Sequence, residues 1–84
     1  MSTTNAAAAI LARHYGPEAV HTYSLPGVKG ESVDVRWAGG LVNIHPIFGG
    51  MYRVNCALAH EDSTLLDLPG VVERMIATAL ANAN

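Results

Sequence analysis

Residues 31 to 38 read Glu-Ser-Val-Asp-Val-Arg-Trp-Ala, so Val33, Val35 and Trp37 alternate with Ser32, Asp34 and Arg36. A period of two marks a strand with one buried face and one wet face. The runs 41 to 45 and 51 to 58 read as two more strands, and a weaker run at 20 to 25 is a fourth candidate, joined onward through a turn at Pro26-Gly27. On either side the period lengthens to that of a helix. Residues 4 to 15 place Ala6 or Ala7, Ile10, Leu11 and Tyr15 on one stripe, with Thr3 or Thr4 to cap the start and Gly16-Pro17 to stop the helix. A second helix is expected to start near Pro69, with Val72, Met75, Ile76, Ala79 and Leu80 on one face and Glu73, Arg74 and Thr78 on the other. The stretch Ser63 to Leu68 reads as a short turn capped by Asp62 or Ser63.

Two glycine pairs, Gly39-Gly40 and Gly49-Gly50, punctuate the strands. A two-residue hairpin at Gly39-Gly40 sets Trp37 opposite Val42, Val35 opposite Ile44 and Arg36 opposite Asn43, apolar to apolar and polar to polar. The same turn at Gly49-Gly50 would set Ile44 against Asn55, and such a one-residue slip exchanges the two faces of a strand. The second connection must therefore hold an odd number of residues. Two versions satisfy this: Phe48 to Gly50, or Pro46 to Gly50, the longer being favoured by the missing amide of Pro46.

These elements predict an α+β fold, a two-layer sandwich in one domain spanning residues 1 to 84. An N-terminal helix leads into an antiparallel meander of three or four strands, and a C-terminal helix closes the chain. Both helices are expected to cover the sheet face that bears Val33, Val35, Trp37, Val42, Ile44, Val54 and Cys56, leaving the other face in water.

Composition narrows the functional classes. Of 84 residues 50% are hydrophobic and 14% charged, the balance of a folded globule with little polar cover, which invites association. A net charge of −2 without any run of like charge counts against tracking nucleic-acid phosphates. The single cysteine, Cys56, excludes an internal disulfide framework and a multi-cysteine zinc site, and points to a reducing, cytoplasmic setting. No apolar run reaches the ~20 residues of a membrane helix.

The wet face of the sheet is the candidate site: Asp34, Arg36, Asn43, His45, Arg53 and Asn55, rimmed by Ile47 and Met51. The expected register sets Asp34 beside His45, where the carboxylate favours the protonated imidazole, and the three-residue loop adds Arg53 beside His45. Ser32 falls opposite Ile47 in that register, away from the imidazole, so no activated nucleophile and no catalytic residue is expected. For metals, Cys56-x-x-x-His60 has ligand types but no second pair, and neither metal nor cofactor is expected. Gly27-x-x-Gly30 has the spacing of a K-homology loop, yet strands are expected on both sides of it, so it reads as a turn.

The order helix, three strands, helix resembles that of the double-stranded RNA-binding domain across nearly the whole chain. Where that family carries lysines at the start of its last helix, this chain has DLPGVVER, with Asp67 and Glu73 against Arg74. The leading expectation is a small non-catalytic protein-interaction module: a regulator, adaptor or inhibitor of the kind borne by phages and other mobile elements. It would bind through the open sheet face or through strand 51 to 58, which as the last strand would also pair a second copy in a homodimer. The alternative is nucleic-acid binding through Lys29, Arg36, Tyr52 and Arg53, disfavoured by the net charge.

Overall fold

The computed structural model describes residues 6–24, 26–27, 30–37, 40–56 and 59–82, with the side chain of Trp37 outside that description. Its helices are α1 (Ala6–Tyr15) and α2 (Leu68–Asn82). Its strands are β1 (Val20–Ser24), β2 (Glu31–Trp37), β3 (Gly40–Pro46), β4 (Met51–Cys56) and β5 (Ala59–Thr64). They form one open antiparallel sheet in the order β1-β2-β3-β4-β5, between an N-terminal and a C-terminal helix. This is the α+β architecture expected from the periodicity.

Five alanines make α1 an easy helix to form, since alanine loses no side-chain entropy on entering one. It stops where Gly16 takes a positive φ of 89° and donates its N–H to the Ala12 carbonyl at 2.9 Å, with Pro17 next in line. The proposed caps Thr3 and Thr4 lie outside the described residues. In α2, Pro69 sits in the first turn, where a missing N–H costs nothing, and Val71 donates to the Asp67 carbonyl at 3.0 Å.

Both helices lie on the same face of the sheet. Ala7 and Leu11 of α1 and Leu68, Val71, Val72 and Met75 of α2 close over Val33, Val35, Val42, Ile44, Val54 and Cys56. Within α2 the expected stripe is displaced toward the N-terminus: Leu80 stays 48% exposed while Leu68 and Val71 are buried. In α1, Ala7 and Leu11 carry the burial, with Tyr15 packed at the margin.

The connection from β3 to β4 is the three-residue version, Phe48–Gly50, in place of the five-residue loop that Pro46 was expected to favour. Gly49 and Gly50 both take positive φ, 78° and 74°, and Ile47 donates its N–H to the Met51 carbonyl at 2.9 Å. Pro46 is accommodated within β3, opposite Tyr52. The required parity holds: Ile44 faces Val54.

Two expectations need correction. The β2–β3 register is shifted by two positions, with Val33 opposite Ile44, Asp34 opposite Asn43, Val35 opposite Val42 and Trp37 opposite Gly40. A shift of two leaves every side chain on its expected face but changes its neighbour. The hairpin tip at residues 38 and 39 lies outside the described residues.

The second correction concerns strand 51 to 58. Its described part, β4, pairs with β3 on one side and β5 on the other, so it offers no edge to a partner or a second copy. The segment 59 to 64, polar and acidic, contains the additional strand. Only three residues of turn, 65 to 67, then remain before α2, with the Asp67 N–H donating to Thr64 Oγ1 at 3.2 Å in place of the caps expected from Asp62 or Ser63.

Candidate functional site

Pairing geometry builds the face of the sheet away from the helices in rows. Residues directly opposite one another in antiparallel strands point the same way. One row crosses all five strands as His21, Asp34, Asn43, Asn55 and His60. A neighbouring row brings Tyr23 opposite Ser32 at one end and His45, Arg53 and Asp62 together at the other. No apolar residue stands in either row. The expected residues Asp34, Asn43, His45, Arg53 and Asn55 therefore share one face, as does Arg36, which is exposed and opposite Leu41.

The centre of this face is a hydrogen-bonded cluster. The Asn43 Nδ2 group donates to Asp34 Oδ1 at 2.9 Å and to the Tyr23 hydroxyl at 2.7 Å. That hydroxyl donates in turn to Asp34 Oδ1 at 3.2 Å. His45 Nδ1 lies 3.2 Å from Asn43 Oδ1, so the imidazole joins through the amide and not through the carboxylate. The expected contact of Asp34 with His45 is thus replaced by one through Asn43, a direct consequence of the two-position shift.

Although neither described helix covers this face, Ser32 is 2% and Asp34 8% exposed. Tyr23 and Asn43 lie against Asp34 through the hydrogen bonds above. The Tyr23 hydroxyl is held above its ordinary value of 10.0, first by burial, then by the Asp34 charge and the hydrogen bond to it, while Ser32 and Asn43 act in the opposite sense. Among the described residues, no cation forms an ion pair with Asp34.

Arg53 stands opposite both His45 and Asp62, but its guanidinium is taken by Asp62 through Nε at 2.8 Å and Nη2 at 3.2 Å. The pair lowers the Asp62 carboxyl below its usual range, chiefly through the hydrogen bond, and raises Arg53. At the rim, Ile47 and Met51 are half-buried, and Phe48 at the loop tip is 93% exposed. Leu66, in the turn before α2 at the same end of the sheet, is 90% exposed.

Of the residues proposed for nucleic acid, Arg36 is exposed on the open face. Arg53 is neutralised by Asp62, Tyr52 packs on the helix side, and Lys29 lies outside the described residues. The two-position shift brings Ser32 into line with His45 at the end of the paired segment, yet Ser32 is buried and the side-chain bond of His45 goes to Asn43. Cys56 is buried on the helix side whereas His60 belongs to the open face, so the two cannot share an ion. Among the described residues no three His, Cys, Asp or Glu side chains come together, and no helix is long and apolar enough to cross a membrane.

Sequence reasoning missed four members of this surface, His21 and Tyr23 of β1 and His60 and Asp62 of β5. Tyr23 and His21 belong to β1, whose alternation is weak, and Asp62 was placed in a cap. A signal for Asp62 did exist: His60-Glu61-Asp62-Ser63 alternates once Glu61 is paired with a helix cation. Glu61 indeed points to the helix side and forms an ion pair with Arg74 of α2. Between β5 and the first turns of α2 lies a cleft of about 370 Å³ lined by Met51, Glu61, Asp67 and Arg74 among others.

Comparison with known proteins returns nothing: no family model matches the chain, and no curated protein or solved structure is significantly similar to it.

Proposed function

We propose that this chain is a small non-catalytic protein-interaction module that recognises its partner through the helix-free face of the sheet. One observation carries the reading. A nearly buried carboxylate, Asp34, stands in the middle of that face, ordered by Tyr23 and Asn43 but without an ion pair among the described residues. An ordered acceptor of this kind loses little side-chain entropy when a partner docks, and a basic or donor-rich segment of another protein suits its charge. The rim residues Ile47, Phe48 and Met51 add apolar contact beside it, the combination of apolar anchor and polar specificity that interfaces use. A regulator, adaptor or inhibitor acting in the cytoplasm, including one borne by a phage or mobile element, is the role we assign to such a module. Its single cysteine is buried and free, which suits that compartment.

The test compares capture of partners from native extract by the wild-type chain and by surface variants. Asp34→Asn, which removes the charge, and His45→Lys, which sets a cation against a basic segment, both on the open face, should abolish capture, whereas Arg13→Glu on the exposed side of α1 should leave it intact. The opposite pattern, with capture sensitive to Arg13 and indifferent to Asp34 and His45, refutes the reading.

A further inference from the structure

The two free edges of the sheet, among the described residues, differ in a way that selects one of them. At one edge β5 reads Ala-His-Glu-Asp-Ser-Thr, with adjacent acids Glu61 and Asp62. Charged edge strands resist pairing with other chains, and a second copy of β5 would meet acids with acids. At the other edge β1 reads Val-His-Thr-Tyr-Ser: no acid, no lysine or arginine, no proline. Three of its five residues, Val20, Thr22 and Tyr23, are of types favourable to strands, and it lacks the charged side chains and the proline by which edges are protected.

We infer that β1 pairs antiparallel with β1 of a second copy, joining two sheets into one of ten strands across a two-fold axis, so that the two open faces run on into one another. Parity restricts the register. Symmetric antiparallel pairing centres on a residue, and the centre that uses all five residues of β1 is Thr22. Thr22 then faces Thr22 of the second copy, His21 faces Tyr23 on the open side, and Val20 faces Ser24 on the helix side. Every pair is neutral or aromatic, and none is a like-charge pair.

The layer above agrees. α1 packs over β1 and β2, so joining the two β1 strands sets the two copies of α1 about 10 Å apart, twice the strand spacing, which is a normal distance for packed helices. Close packing at that distance needs small side chains, and Ala6 and Ala9 are exposed on α1. The sheet and the helix layer are thus both extended by the same operation.

The test rests on Thr22 meeting itself. Light scattering and sedimentation should give the wild-type chain twice the 8.8 kDa mass of one copy. Thr22→Lys alone and Thr22→Glu alone should each give a single copy of unchanged circular dichroism, because like charges face across the axis. An equimolar mixture of the two should recover the doubled mass. A wild-type chain that stays single at every accessible concentration overturns the inference. So does a pair that survives both substitutions, which would place the contact elsewhere, or a mixture of folded variants that stays single.

Discussion

Val54 stands directly opposite Ile44 on the helix-covered side of the sheet, and solvent reaches neither. That relationship depends on the odd count of the Phe48–Gly50 loop. Deleting Gly49 leaves a two-residue loop, and the face of β4 that carries Val54 and Cys56 then turns to water. The deletion should abolish cooperative unfolding, as followed by circular dichroism and calorimetry. Phe48→Ala, at a side chain 93% exposed, should leave the melting temperature nearly unchanged. Equal effects of the two changes would contradict the register.

Gly49 and Gly50 have open space where a Cβ would sit, so replacement there is opposed by backbone conformation alone. Gly49→Ala should cost about 1–2 kcal/mol by denaturant unfolding, and Gly49→Asn less, because Asn tolerates positive φ. Gly30→Ala should be worse than either: its φ is 80° and an added Cβ would lie 2.8 Å from Pro46 Cγ.

The cluster around Asp34 predicts a linked pair of effects. Tyr23→Phe removes a hydrogen bond at about 0.5–1.5 kcal/mol, and Asp34→Ala, which leaves the Tyr23 hydroxyl and the Asn43 amide without their acceptor, about 1–3 kcal/mol. Double-mutant cycles of Asp34 with Asn43 should show coupling, and cycles of Asp34 with His45 much less. The Tyr23 hydroxyl also gives a pH signature. Its folded value is raised above 10.0, so its contribution to stability is complete below pH 10 and is lost as pH climbs through the raised value. Wild type should therefore destabilise more steeply in alkali than Tyr23→Phe.

At the β5 edge the sign is reversed. Asp62 is held below its ordinary 3.8 by Arg53, so its contribution is present above that value and disappears as pH falls through the lowered one. Asp62→Asn should loosen the β4–β5 hairpin slightly near neutrality, seen as faster amide exchange, and should match wild type in strong acid. The pair is half exposed, so the effect should also shrink with added salt.

Leu11 of α1 is fully buried against the sheet, and Leu11→Ala should cost about 2–5 kcal/mol in denaturant unfolding. Ala9→Ser, on an exposed position of the same helix, should be nearly neutral for a single copy.

Local periodicity determined most of the architecture. Val33, Val35, Val42, Ile44, Val54 and Cys56 could be assigned to one face because a strand alternates strictly, and a break in that alternation at Gly49-Gly50 forced an odd loop before any contact was known. The polar face, with Asp34, Asn43, His45, Arg53 and Asn55, followed from the same parity. What alternation cannot distinguish is a shift of two residues. Alternation scores Val35 against Ile44 and Val35 against Val42 alike, and only the tertiary structure set it against Val42 and so gave Asp34 to Asn43 instead of His45. Strand β5 was hidden for a related reason. Its side facing α2 carries Glu61, and a charged residue there makes sense only once Arg74, thirteen positions away along the chain, is brought against it by the packing of the helix. Long-range compensation of charge leaves no local pattern, so the tertiary structure alone decided which strands are edges.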